Sequence, residues 1–408
     1  MRTSRLSLYL AGAVLALPCL ATTPPAVPVS SGTTLQQAID SAWLRAPAAR
    51  TLEARREETS AARISADSWL AANPTLGLAQ RVDRGASERD QTESEISVSS
   101  SIWLPGQKSA RATLAMRSTD EVASQLGATR LEIAGAVRNR IWEVAAAKLR
   151  LEEKRDRLRY LEGLAKEVRQ RVIAGDLARS DDLLAAQEVL AARIDELDAA
   201  TVAAEALSRY RVLTGMPELP PLEPETLRDG VFAPDPRLVA AHASERRAHA
   251  ALGLATASRA SPPTITLSVR REDERTLRQP ANSIGLALQI PIGSAPRNRV
   301  VEAQAQTAIA TAAAEAAQLS LTAAAEREIA RKRLAAARRA LAAATSRAAA
   351  LHEHVALIEK AFRHGERGLA DVLRSRALMH EADIAAGQQQ VALGLAHALY
   401  NQALGLFP

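Results

Sequence analysis

Residues 94–106 read SEISVSSSIWLPG, and residues 283–293 read SIGLALQIPIG. In the first, Ile96, Val98 and Ile102 alternate with Glu95, Ser97, Ser99 and Ser101. In the second, Ile284, Leu286, Leu288 and Ile290 alternate with Gly285, Ala287 and Gln289. A period of two puts alternate side chains on opposite faces of a strand, one apolar and one polar. Each run ends at Leu104-Pro105-Gly106 or Pro291-Ile292-Gly293 and gives way to a helical pattern of about 65 residues, a rod of roughly 100 Å.

Each of these strands has an alternating partner upstream. Leu76, Leu78 and Val82 oppose Thr75, Gly77, Ala79 and Arg81, and Ile265, Leu267 and Val269 oppose Thr264, Thr266, Ser268 and Arg270. Two hairpins are expected, over 73–104 and 262–292, with polar loops at 84–94 and 272–281. The polar faces hold Thr, Ser, Gly, Arg and Gln, and each strand has roughly the 9 to 11 residues of a tilted membrane strand. Four strands alone leave two open edges and cannot span a bilayer, so a membrane role obliges several chains to close one barrel. Ordinary soluble hairpins packed on helices are the alternative.

The hairpins belong to a duplicated unit. Gly175-Asp176 with Asp181-Asp182-Leu183 recurs 190 residues on as Gly365-Glu366 with Asp371-Val372-Leu373, and Tyr210 with Gly215 recurs as Tyr400 with Gly405. The first repeat spans 22–215: a helix from Thr34 to Leu70, the hairpin, a long helix 107–173 and a returning helix 180–214. The second spans 237–408: a helix from Pro236 to Arg259, the hairpin, a long helix 297–363 and a returning helix 369–405. The proline-rich stretch 216–236 links them. Along the first long helix apolar residues fall at steps of three, four and seven, the spacing of a packed seam. Gly175 and Gly365 serve each reversal, and a carboxylate at Asp181 or Asp371 suits the first turn of a returning helix.

Composition agrees with long thin helices. Of 408 residues 47% are hydrophobic but only 3% aromatic, which leaves few bulky side chains for thick cores. Basic and acidic residues number 52 and 46 and are interspersed, as on solvated helix faces rather than a nucleic-acid footprint. Residues 1–21 read as an export signal, with Arg2 and Arg5, an apolar run Leu6–Leu17 and Cys19-Leu20-Ala21 as a small-x-small site. Acylation of the single cysteine, Cys19, is the alternative, although Pro18 stands where a lipobox carries glycine or alanine.

No nucleophile–base set or phosphate-cradling loop is evident, so no enzyme and no cofactor are expected. His352 and His354 stand about 200° apart around a helix, and His242 and His249 some 10 Å apart along one, so no metal site is expected. Trp69 and Trp103 flank one end of the first hairpin, a position suited to a membrane interface.

The ordered combination of duplicated helix, hairpin, long helix, turn and returning helix, with the Leu-Pro-Gly and Pro-Ile-Gly strand ends, the Gly-Asp/Glu…Asp-x-Leu turns and the Tyr…Gly endings, resembles the TolC family of outer-membrane efflux proteins, with a layout nearest the heavy-metal cation branch. The resemblance implies a mainly α fold with a small β part: a homotrimer in which four strands per chain build a shared 12-stranded transmembrane barrel and the helical hairpins an α-barrel tunnel, with the linker in an equatorial belt. It further implies a passive exit duct in the outer membrane of a Gram-negative bacterium, extending into the periplasm. Such a duct serves a periplasmic adaptor and an inner-membrane pump and passes metal cations or small toxic compounds. A soluble periplasmic coiled-coil scaffold is the alternative. Asp371 matches the family's aspartate ring at the periplasmic gate, which would concentrate cations. Arg374 stands where some members have a second aspartate, weakening that preference, and Arg367 matches a residue that ties neighbouring helices in the shut state. Gly175, Asp176, Asp181, Leu183, Gly365, Glu366 and Leu373 fall in the turns that meet the adaptor.

Overall fold

Thr34 caps the first described helix reciprocally. Its hydroxyl accepts the Gln37 N–H at 3.2 Å, and the Gln37 side chain accepts the Thr34 N–H at 2.8 Å. Helix α1 (Leu35–Arg45) follows, and Ala46 is extended before α2 (Pro47–Ala66). The expected single helix from Thr34 to Leu70 is thus two helices. Pro47 lacks the N–H that would continue α1 and pushes its predecessor out of the helical region, so it opens a new helix instead. The computed structural model describes residues 33–82, 91–227, 234–274, 280–292 and 295–408. The leader with Cys19, most of the first hairpin loop, part of the second, residues 228–233 of the linker, and Gly293 lie outside the described residues.

The remaining elements are β1 (Thr75–Val82), β2 (Gln91–Ser101), α3 (Gln107–Ala174), α4 (Arg179–Thr214), α5 (Pro236–Ala257), β3 (Thr264–Glu274), β4 (Ala281–Gln289), α6 (Ala295–Arg363) and α7 (Leu369–Ala403). The strands form one antiparallel sheet in the order β1-β2-β3-β4, so β2–β3 pairing joins the two repeats. The strands run further into the expected loops than their polarity suggested: Thr92, Glu93 and Ser94 pair with Val82, Arg81 and Gln80 on one side and with Asp273, Glu272 and Arg271 on the other. Opposite charges across the strands support this extension. Arg270 reaches Glu93 at 2.7 Å and Glu95 at 3.2 Å, and Arg81 lies 3.6 Å from Glu93.

At 68 and 69 residues, α3 and α6 are each about 100 Å long. Buried positions on α6 include Ala312, Ala316, Ala323, Ala330 and Leu334, a seam of steps of four and seven made mainly of alanine. Such small side chains let helices approach closely. Below the sheet α3 packs on α2 and α5, and α5 on α6; further along, α3 packs on α4 and α7, and α7 on α6. The largest cluster joins α3 (Ala134, Val137, Ile141, Val144) to α1 (Ala38, Ile39, Ala42) and α4 (Ala203, Ala206, Tyr210). Where α3 meets α7, the Trp142 ring lies on Gly394, a position where any Cβ would overlap the indole.

A buried arginine closes the middle of the molecule. Arg138 of α3 is 1% exposed and forms a two-pronged pair with Glu225 of the linker, both bonds 2.7 Å. It also donates to the Gln402 side chain at 2.6 Å and to the Leu406 carbonyl at 3.2 Å. Asn401 donates to Glu225 at 3.1 Å, so the carboxylate is held from both repeats. One guanidinium therefore gathers the long helix, the inter-repeat linker and the C-terminal end. Arg138→Ala would strand the Glu225 carboxylate, and the expected loss is about 3–5 kcal/mol in chemical denaturation. A loss below about 1 kcal/mol would show that the pair does not hold this region together.

Candidate functional site

Cross-strand register sorts the sheet into two chemically opposite faces. Leu76, Val98, Leu267 and Leu286 stand side by side across the four strands, and the next row is Leu78, Ile96, Val269 and Ile284. Ile265 and Leu288 begin a third row with Ser100. The opposite face carries Gly77, Ser97, Ser268 and Gly285 in one row and Thr75, Ser99, Thr266 and Ala287 in another. Among the described residues nothing covers the apolar rows, and Leu286 is 76% and Ile284 79% exposed. Each such side chain left in water forfeits roughly 1.5–3 kcal/mol, so two rows of four forfeit more than about 10 kcal/mol, as much as a whole domain's stability. The face requires an apolar cover.

The edges are equally unsatisfied. Among the described residues β1 and β4 each have a strand partner on one side only. The helices repeat the pattern, because α2 and α4 lie at the β1 margin and α6 at the β4 margin, with α3, α5 and α7 between. A left margin of one copy can thus meet a right margin of the next along the whole length. This is a heterologous contact, which closes into a ring when the rotation permits.

The Trp103 indole donates to the Ser68 carbonyl at 3.1 Å and lies under the Arg111 guanidinium at 5.7 Å. Trp69, next to Ser68, is 92% exposed. The two indoles therefore sit at one end of the sheet, where the strands pass into helices.

The terminal turns lie at the other end of the rods. Gly175 and Gly365 take the left-handed conformation, with φ of 87° and 75°, which glycine adopts without strain. The Asp176 and Glu366 N–H groups return to the Arg171 and Ala361 carbonyls, both at 2.9 Å, closing the helix ends. Asp181 accepts the Ala178 N–H at 3.2 Å, the capping role its position suggests. Leu183 is exposed, whereas Leu373 packs on a cluster of Leu164, Val168, Ala185, Phe362, Leu369 and Val372 that joins all four helices. Asp371 lies in the first turn of α7 and pairs with Arg367 at 3.8 Å, and Arg374 is exposed one turn further.

Sequence reasoning missed a second set of residues near these turns, because its members are far apart in the chain. Tyr160 of α3 donates to Glu359 of α6 at 3.1 Å, and Arg376 of α7 reaches the same carboxylate at 2.5 Å while stacking on the tyrosine ring at 4.3 Å. Burial pushes the Tyr160 phenol up to about 12, so it stays a donor at neutral pH. His380 nearby is pushed down from its ordinary value by burial and then by Arg376. Of the other histidines, His352 lies 2.8 Å from Asp383, His354 3.4 Å from Ser375, His242 3.4 Å from Glu245 and His397 3.0 Å from the Glu225 carbonyl.

No family model and no curated protein matches the sequence. Solved structures match the fold. The outer membrane protein VceC from Vibrio cholerae is 16% identical, with 91% of this chain and 96% of that chain covered at a TM-score of 0.73. A membrane protein from Pseudomonas aeruginosa is 21% identical, with 94% and 96% covered and a TM-score of 0.73. The MtrE outer membrane channel of Neisseria gonorrhoeae, in its open state, is 18% identical, with 91% and 88% covered and a TM-score of 0.73. At these identities the likeness is one of fold, and the fold is that of outer-membrane channels.

Lysine at Leu286 and lysine at the adjacent Ala287 should therefore differ sharply. On refolding into lipid vesicles, Leu286→Lys is expected to cost about 2–4 kcal/mol and Ala287→Lys close to nothing. Equal penalties at the two positions would mean that both faces meet the same surroundings.

Proposed function

We propose that this chain is a TolC-family outer-membrane efflux protein, the passive channel component of a tripartite system. Three copies would close the sheet into one 12-stranded barrel and the rods into a tunnel reaching across the periplasm of a Gram-negative cell. The observation that carries this reading is the sheet itself: an apolar face without cover and two open edges, aligned with open helical margins over the full length. Head-to-tail closure satisfies both edges, and lipid satisfies the face. The soluble scaffold reading would leave these rows in water.

In this reading Trp69 and Trp103 mark the periplasmic membrane interface. The turns around Gly175, Asp176, Asp181, Leu183, Gly365, Glu366 and Leu373 meet the hairpin of a periplasmic adaptor, and Asp371, Arg367 and Arg374 ring the narrow end. The Tyr160–Glu359–Arg376 contact joins three helices just before that end, so any widening of the tips must strain or break it. Transport energy comes from an inner-membrane pump. The solutes are metal cations or small toxic compounds.

The full chain, extracted from outer membranes in mild detergent and weighed intact, is expected to have three times the protomer mass and to fall to one protomer on heating. Cysteines placed on the free edges of β1 and β4 should cross-link between copies. A monomer recovered from the periplasmic fraction without detergent would overturn the proposal.

A further inference from the structure

We infer that the narrow end of the duct favours anionic solutes, small compounds bearing a carboxylate, sulfonate or phosphate, over metal cations. The inference rests on the channel reading above and chooses between the solute classes it leaves open.

The charges of the two terminal turns can be assigned one by one. Segment 166–186 carries four basic and four acidic side chains, and the equivalent 356–376, 190 residues on, carries five basic and three acidic. Most are spent on each other: Arg169 and Arg179 both hold Asp182, at 3.2 and 2.7 Å, Arg171 holds Glu167 at 2.9 Å, and Asp181 caps its own helix. The first turn is electrically balanced.

The second turn is not. Glu359 is consumed by Arg376 and the Tyr160 hydroxyl. What remains exposed are the cations Lys360, Arg363, Arg367 and Arg374 against the carboxylates Glu366 and Asp371. Among the described residues, Arg367 is the only one of these four cations with a carboxylate partner, and that partner is Asp371. The aspartate that would draw cations is thus covered from its own turn, and Arg374 follows it with no carboxylate against it.

Helix dipoles do not alter the sign, because α6 ends and α7 begins at this turn, and their opposite poles largely offset. Lys360, Arg363 and Arg374 all lie within about 8 Å along their helices of the reversal at Gly365, inside one Debye length of roughly 10 Å at 0.1 M salt. Three copies around a narrow axis multiply the excess, and a low-dielectric wall focuses its field. Rings of arginine and lysine select anions, as carboxylate rings select cations.

The full-length trimer, reconstituted in planar bilayers, tests this through reversal potentials in asymmetric potassium chloride and potassium benzoate. Wild type is expected to pass anions over potassium by at least about threefold. Arg363→Gln with Arg374→Gln should move the reversal potential toward the cation side, the paired lysine variant should restore it, and Asp371→Ala should leave or increase anion preference. A cation-preferring wild type, or a glutamine double variant with an unchanged reversal potential and an intact heat-sensitive trimer, would overturn the inference while leaving the channel reading in place. No trimer and no conductance from the wild type would overturn both.

Discussion

A four-stranded sheet with one greasy face and two unpaired edges cannot be satisfied by a single chain in water. The register leaves no freedom here. Shifting any strand by one residue would send its leucines and isoleucines to the serine and glycine face, so the sorted rows specify the pairing and, with it, the need for an outside apolar phase. Everything else in the molecule is arranged around that need. The strands nearest the margins, β1 and β4, are continuous with helices at the same margins, so one association satisfies strands and rods together.

The rods solve a different problem. A helix of about 100 Å has little of its own to fold onto, and α6 in particular buries mostly alanine. Close packing comes from small residues and from notches such as Gly394 beneath Trp142. Specificity comes from a few polar hubs. Arg138 fixes the linker and C-terminal end to α3, and the Tyr160–Glu359–Arg376 contact fixes α3 to α6 and α7 near the turns. These hubs lie at different heights along the rods, one toward the middle and one near the turns.

Alternation and glycine turns made the strands and reversals legible, because both signals are local. Features that depend on distant partners were not. Glu93 and Glu272 look like loop residues in isolation; in the sheet Glu93 meets Arg81 and Arg270 across the strands, and Glu272 lies 3.8 Å from Arg270 on its own strand. Pro47 is a local break signal, because proline cannot continue a helix, and it separates α1 from α2. Arg138 looks like one more exposed helix arginine; its partners Glu225 and Gln402 are 87 and 264 residues away. At the turns, Asp371 and Arg367 were visible as residues, but the exposure of Lys360, Arg363 and Arg374 without carboxylate partners needed coordinates.

The central claim is that lipid covers the apolar rows in the cell. It is tested most directly by illuminating intact outer membranes that contain a photoactivatable probe confined to the acyl chains, then mapping the adducts by mass spectrometry. The account predicts adducts at Leu78, Val98, Leu267 and Leu288 and none at Ser97, Thr266, Ser268 or Ala287. Adducts on both faces, or on neither, would contradict it.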